Sequence, residues 1–290
     1  MTNDIQRIRR FNRAVTSEVG ALDTSFLSLG RPLGSARVLN AIGHGLQEVG
    51  AIRTYLGLDS GLMSRLLRGL ETEGLITTGP SPDDSRRRIA QLTEAGRAAF
   101  AEYERLSNDQ AHAILARHPR PKDILAAMDL IATALGQDRI EINEIDPREP
   151  EAIHCLTQYY RELERRFATG FDVNLSRDPE ATDMIRPRGV FLLAMSDALP
   201  IGCVGLKGGG GPVAEIKRLW VSPAARGLKL ATRLMTRAED TARGLGIDTL
   251  RLDTNSALPE AAALYRKTGW REIDRFNDDP YPDMFFEKTL

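Results

Sequence analysis

With 290 residues, 42% hydrophobic and 27% charged, the chain is long enough for two domains and has the balance of a globular protein rather than a disordered one. Its net charge of −1 hides little asymmetry: residues 1–137 hold 17 Lys and Arg against 15 Asp and Glu, and the remainder 22 against 25, which excludes a globally basic nucleic-acid binder. No apolar run reaches the length of a membrane span, MTNDIQRIRRFNR has no apolar signal core, and Cys155 and Cys203 lack metal spacing, so the expectation is a cytoplasmic chain with reduced thiols, no membrane contact and no metal.

From Asp4 to about Leu29, apolar residues recur at Ile5, Ile8, Phe11, Val15, Val19, Leu22 and Phe26, the spacing of one long amphipathic helix. Gly30-Arg-Pro32 ends it, and Ser35 is expected to cap a second helix with Val38, Leu39 and Ile42 inward. A shorter helix follows near Val49 to Tyr55. Asp59 or Ser60 then caps a fourth, with Leu62, Leu66, Leu67 and Leu70 facing the core. Its outer face is Gly61, Ser64, Arg65 and Arg68. Small residues with two guanidiniums suit a helix that enters a DNA major groove. Two short strands, Gly74 to Thr78 and Arg86 to Leu92, flank a polar turn at residues 79–84, so a β-hairpin carrying Asp84, Arg86, Arg87 and Arg88 is expected. The pattern is then helical to Leu135, interrupted at His118-Pro-Arg-Pro121.

This half resembles the MarR family of dimeric winged-helix regulators. The likeness rests on Ser64-Arg65, Leu70-Glu-x-x-Gly74-Leu, Asp84-Ser-Arg86 and Leu92-Thr-x-x-Gly96 in order. The resemblance implies contact with a double-stranded, pseudo-palindromic DNA site through Ser35, Gly61, Ser64, Arg65, Arg68, Asp84, Arg86, Arg87 and Arg88. It also implies a homodimer in which the first helix and the terminal helices pair. Glycine-led, polar Gly136-Gln137-Asp138 marks the expected boundary between domains 1–137 and 138–290.

The second half opens with a strand at Ile140 to Ile145 and an amphipathic helix from Pro150 to about Phe167. The segment 165–172, with two Arg and two Phe, reads either as a pocket for an acidic or aromatic acceptor or as a helix end with core aromatics. Residues 189–195 and 201–206 form an antiparallel hairpin. Lys207 to Pro212 leads into a strand rather than a helix, so it is a turn and not a phosphate loop. Val213 to Val221 is the next strand. It breaks at Ser222-Pro223 and resumes at helical spacing, with Leu230, Leu234, Ala238 and Thr241 on one face. A strand that turns directly into a helix leaves backbone N–H groups free for a phosphate anion, and Arg226, Gly227 and Lys229 stand at that mouth. Strands at Thr249 to Asp253, after Gly269-Trp270 and at Asp283 to Lys288, and a helix at Pro259 to Lys267, complete the chain.

Arg226-Gly-Leu-Lys-Leu-Ala231 resembles the acyl-CoA signature of the Gcn5-related N-acetyltransferases, Gln/Arg-x-x-Gly-x-Gly/Ala, with Lys229 in place of the middle glycine. Asn255 and Ala261-Ala-Ala-Leu-Tyr-Arg-Lys-Thr-Gly-Trp270 resemble the family's next motif. The resemblance implies a mixed-sheet α+β acyltransferase fold with acetyl-CoA as donor and a small amine as acceptor. It places the donor on Leu219 and Val221 by backbone pairing, on Arg226, Gly227, Leu228, Lys229, Leu230, Ala231 and Thr232 at the pyrophosphate, and on Asn255. Glu215 is the expected base and Tyr265 the acid. The expected whole is a regulator that is also an N-acetyltransferase; the alternative is a transcription factor whose second domain senses acetyl-CoA or a metabolite without turnover.

Overall fold

The computed structural model describes residues 3–168, 170–173 and 183–290. They form two compact units, 1–121 and 122–290. The boundary expected after residue 137 lies at the far end of one helix from that division. Each unit has its own core.

In the first unit, α1 (Asp4–Glu18) is capped by the Asn3 side chain, which accepts from Ile5 N. The expected single helix to Leu29 does not form. Gly20 takes φ +61° two residues after α1 ends, and only a short 3-10 turn, Phe26–Ser28, follows. α2 (Leu33–Gly43) starts two residues before Ser35, with Pro32 at its N-cap; Ser35 lies inside the first turn and caps nothing. α3 (Val49–Leu56) ends on Gly57 in the left-handed region. α4 (Ser60–Thr72) is capped by Asp59, whose Oδ1 accepts from Leu62 N at 2.9 Å. That hydrogen bond first, then the Gly61 backbone and the charge of Arg65, hold the Asp59 carboxyl below its ordinary range. The buried stripe of α4 is Met63, Leu67 and Leu70, with Leu62 and Leu66 half-buried at its edge.

Strands β1 (Ile76–Pro80) and β2 (Arg88–Leu92) pair antiparallel, and Glu48 bridges to Ile89, which fastens the hairpin to the entry of α3. The Thr93 Oγ1 caps α5 (Glu94–Ala116) by accepting from Gly96 N at 3.0 Å and donates back to Gly74 O at 2.6 Å. A Cβ at Gly96 would meet Leu75 O at 1.9 Å, so the Leu-Thr-x-x-Gly spacing is a close-packing requirement.

The second unit contains α6 (Pro121–Leu135) and a seven-stranded sheet in the order β3-β4-β5-β6-β7-β9-β8. Its strands are β3 (Glu141–Ile145), β4 (Val190–Ser196), β5 (Leu199–Gly208), β6 (Val213–Val221), β7 (Thr249–Thr254), β8 (Arg271–Ile273) and β9 (Met284–Thr289). All neighbours are antiparallel except β6 and β7. Helices α8 (Leu230–Gly244) and α9 (Pro259–Lys267) share a core with Val190, Leu192 and Ala194; α7 (Pro150–Arg166) covers the opposite face with Phe191, Leu193 and Cys203. Residues Val190 to Ala194 are all buried because both faces of β4 are covered, which is why that strand reads as an unbroken apolar run. On α8 the buried row is Leu230, Leu234, Ala238 and Ala242; Thr241, expected on that face, is only half-buried.

One irregularity in this sheet positions everything that follows. Between Cys203↔Trp220 and Gly205↔Lys217, two residues of β6 oppose one of β5, a β-bulge with Arg218 at φ +58°. Pairing of β6 with β7 stops at Ile216↔Leu252, although β6 runs on to Val221 and β7 to Thr254. The two parallel strands therefore separate, and a cleft opens between them.

Candidate active site and DNA-facing surface

The phosphate end is built from backbone. After β6 the chain makes a 3-10 turn, Pro223–Ala225, and enters α8 through Gly227 (φ +83°) and Lys229 (φ +59°, ψ +20°). Lys229 is the N-cap and its side chain caps nothing. The first α8 N–H to reach a backbone acceptor is that of Arg233, on Lys229 O at 3.1 Å. The N–H groups of Leu230, Ala231 and Thr232 meet no acceptor among the described residues, and they open a fifteen-residue helix. Such a cluster suits a doubly charged pyrophosphate. The signature's middle position takes a left-handed conformation, which explains why glycine is expected there and what Lys229 endures. Leu228 is half-buried against the core. Arg226 does not aim into open space: its Nη2 pairs with Glu162 Oε2 at 2.6 Å and its Nε donates to Val221 O at 3.2 Å, with Trp220 Nε1 on the same carboxylate oxygen at 3.1 Å. The guanidinium thus ties the turn to α7. Leu219 and Val221 lie on the part of β6 that has left β7.

The cleft has a volume of about 170 Å³, is partly open to solvent, and is lined by Glu215, Lys217, Leu219, Asp253, Asn255, Tyr159 and Tyr265 among others. Glu215 and Lys217 are two apart on β6 and share a face. Lys217 Nζ lies 3.1 Å from Glu215 Oε2 and 2.6 Å from Asp253 Oδ2, and Asn277 Nδ2 donates to that Asp253 oxygen at 2.6 Å. Burial works to lower the Lys217 pKa, but the charges of Asp253 and Glu215 outweigh it and the net shift is upward. Lys217 is therefore a permanent cation between two carboxylates.

Tyr265 is 5% exposed and packs against Trp270 and Phe286 at ring separations of 6.1 and 5.6 Å. Burial and then the charge of Asp253 push its phenol pKa upward, so it stays a neutral O–H donor facing the cleft. Burial raises the Tyr159 phenol in the same way. Asn255 is committed locally: its Oδ1 accepts from Ala257 N at 2.8 Å and its Nδ2 donates to Tyr281 O at 2.6 Å. Sequence reasoning missed Lys217, Asp253, Asn277 and Tyr159, which line the cleft, and Glu162, which anchors Arg226. Only Lys217 had a signal, its two-residue offset from Glu215.

In the first unit, Gly61, Ser64, Arg65 and Arg68 are all exposed on the outer face of α4, while Ser35 is half-buried in α2. Among the described residues neither Arg65 nor Arg68 has an ion pair. The hairpin's cations are engaged. Arg86 Nε and Nη2 donate to Asp84 at 3.1 and 3.3 Å, Arg87 lies 3.6 Å from Glu48, and Arg88 donates to Thr78 Oγ1 at 2.5 Å. Asp84, held below its ordinary pKa by Arg86, also accepts from Arg86 N at 3.1 Å, so the Asp-Ser-Arg motif is itself a turn.

The Acetyltransferase (GNAT) family model matches residues 154–270, and the MarR family model matches residues 29–87. An IAA acetyltransferase of Azospirillum brasilense is 32% identical over 151 residues, 49% of this chain and 95% of that protein. The chain belongs to the GNAT acetyltransferase family. It carries a MarR domain ahead of the transferase fold. An uncharacterized N-acetyltransferase of Schizosaccharomyces pombe is 33% identical over 147 residues, 48% of this chain and 87% of that protein. A crystal structure of a GNAT-family acetyltransferase from Staphylococcus aureus Mu50 matches with a TM-score of 0.47 at 22% identity, covering 52% of this chain and 99% of that one. Among the described residues no cluster of three His, Cys, Asp or Glu could hold a metal, and no helix is long and apolar enough to cross a membrane.

Proposed function

We propose that the chain couples sequence-specific DNA binding to transfer of an acetyl group from acetyl-CoA to a small primary amine. The observation that carries the transferase reading is the split between β6 and β7. It puts Glu215 and Tyr265 in one cleft, and the same strand β6 leads through a short turn to an α8 N-terminus whose first N–H groups are free. The donor supplies an activated thioester. Free N–H groups at residues 230–232 hold its pyrophosphate, and the edge of β6 that has left β7, at Leu219 and Val221, aligns its arm, with Val221 O shared with Arg226 Nε. Glu215 accepts a proton from the acceptor, directly or through water, because only a neutral amine attacks a carbonyl. Tyr265 donates its proton to the departing sulfur. Lys217 and Asp253 hold Glu215 in place.

In the first unit, α4 enters the major groove with Arg65 and Arg68 foremost, and the hairpin arginines lie along the backbone. Ile5, Ile8, Phe11 and Val15 form an exposed apolar row on α1, at 57, 61, 39 and 41% exposure, which supports a homodimer through that helix. We place this chemistry in the cytoplasm.

The tests are thiol release from acetyl-CoA over a panel of amines, and salt-dependent DNA binding by the same preparation. A second reading draws on the Glu215–Lys217 contact, which occupies the proposed base: the cleft binds acetyl-CoA or a metabolite as a signal without turnover. Donor binding with no thiol release for any amine would decide for that reading.

A further inference from the structure

Resting on the transferase reading, we infer that the acceptor is an arylalkyl primary amine, its ring held by an aromatic box at the cleft end formed by Phe167, Phe171, Tyr160 and Tyr281. The four rings come from α7, the segment after it and the loop before β9, and meet in one wall of the cleft. Phe171 is central. Its centroid lies 4.7 Å from Tyr281, 5.7 Å from Tyr160 in a stacked arrangement, and 6.1 Å from Phe167 edge-on. Phe167 and Tyr281 close the group at 6.0 Å.

The box is held from behind. Tyr281 Oη accepts from Asp172 N at 2.8 Å, Tyr281 N donates to Asp279 Oδ1 at 3.2 Å, and Asn255 Nδ2 holds Tyr281 O. These bonds use the polar ends of the ring and backbone, and the half-buried ring, packed on Phe171, lines the cleft. All four rings are half-buried, so they still present apolar surface to solvent. A flat apolar body would cover that surface and gain offset or edge-to-face contacts.

The charged groups of the cleft balance: Lys207, Lys217 and Arg218 face Glu215, Asp253 and Asp279. Lys217 sits between Glu215 and Asp253, and the Arg218 guanidinium lies over the Tyr160 ring at 5.9 Å, so the same lining offers a proton acceptor and aromatic surface. An amine on a short alkyl linker from a ring matches both.

Calorimetry on the full chain saturated with CoA tests this, with phenethylamine and phenylalanine compared against butylamine. Phenethylamine or phenylalanine should bind at least about tenfold tighter than butylamine, and which of the two does so separates a plain amine from an amino acid. Phe171→Ala should bring the ratio to within about threefold while CoA binding is unchanged. Equal binding of aromatic and aliphatic amines, or a ratio untouched in Phe171→Ala, would overturn the aromatic subsite. So would tetramethylammonium binding tighter than phenethylamine, which would make the box a cage for the charged head. If the aromatic preference holds but no amine releases thiol from acetyl-CoA, the transferase reading fails and the subsite stands. Turnover of aliphatic and aromatic amines alike does the reverse.

Discussion

Arg65 and Arg68 stand exposed on α4 with no direct ion pair among the described residues, Arg65 feeling only the charge of Asp59, whereas Lys217 is clamped between Glu215 and Asp253 inside the cleft. The same charge does opposite work in the two places. An uncompensated guanidinium on a solvated surface costs little and keeps its field for a polyanion. A cation inside a narrow cleft must be neutralised locally, and once neutralised it positions its partners rather than attracting a ligand. Arg226, tied to Glu162, follows the second pattern although it stands in the turn before the α8 N-terminus proposed to hold the pyrophosphate.

With Lys207, Lys217 and Arg218 set against Glu215, Asp253 and Asp279, the cleft lining carries no net charge, and under the proposed transfer the largest effect is expected at Tyr265, the proposed proton donor. Tyr265→Phe keeps the ring against Trp270 and Phe286, so donor affinity should stay near wild type while turnover falls about 10²–10⁴-fold. Steady-state kinetics with a working amine checks this; unchanged turnover would make Tyr265 a core aromatic only.

Lys217→Met breaks the clamp itself. It strands two carboxylates against each other, and urea unfolding should register a loss near the low end of the 3–5 kcal/mol range for a buried pair, about 3 kcal/mol, since the Lys217 side chain is still 20% exposed. The pH dependence has a definite sign. A folded pKa raised above the unfolded value, about 10.4, means that the pair's contribution is complete at neutral pH and disappears only as pH rises through the folded value. A wild-type stability curve that already loses this contribution below pH 9 would contradict the clamp.

Much of this molecule could be read from its letters, and the boundary is physical. The strand–turn–helix at residues 213–244, the hairpin at 76–92 and helix α9 depend on local periodicity, proline and turn residues, and they form where expected. The first helix stops early because Gly20 adopts φ +61° and closes a local C-cap, with Ala21 N on Thr16 O at 3.1 Å and Gly20 N on Ser17 O at 3.2 Å; that glycine stop signal outweighs an apolar row continuing to Phe26. Ser35 looks like a cap, but Pro32 fixes the start of α2 sooner. Around the cleft, Glu215 and Tyr265 lie in recognisable motifs. Asp253, Asn277 and Glu162 reach their partners across 36, 24 and 64 residues, a separation that no local pattern encodes.

The DNA face offers the reverse test. Arg68→Ala should lower affinity for a specific site by about 1–3 kcal/mol and relax its sequence preference. Arg86→Ala, whose guanidinium already sits on Asp84, should act as a phosphate contact: weaker binding to all sequences and a salt slope reduced by about 1. Filter binding or anisotropy at several fixed salt concentrations separates the two. Identical behaviour would erase the distinction between free and engaged arginines.

The smallest effect is expected at Lys229, where the two kinds of cation meet. Its side chain is exposed, as on α4, but its backbone is held at φ +59° in the cap of α8. A non-glycine residue in that region costs roughly 1–2 kcal/mol, and a cation at a helix N-terminus opposes the dipole by about 0.3–1 kcal/mol. Lys229→Gly removes both costs but gives the unfolded chain more freedom, worth about 0.4–1 kcal/mol against folding. The balance should be a stabilisation of about 1 kcal/mol in urea unfolding. Donor affinity should move the other way, by less than about 1 kcal/mol, because the backbone N–H groups remain and only a solvated charge is lost. A Lys229→Gly variant that is less stable than wild type would show that the left-handed cap stores no strain. A large loss of donor affinity would show instead that the lysine, and not the helix N-terminus, holds the pyrophosphate.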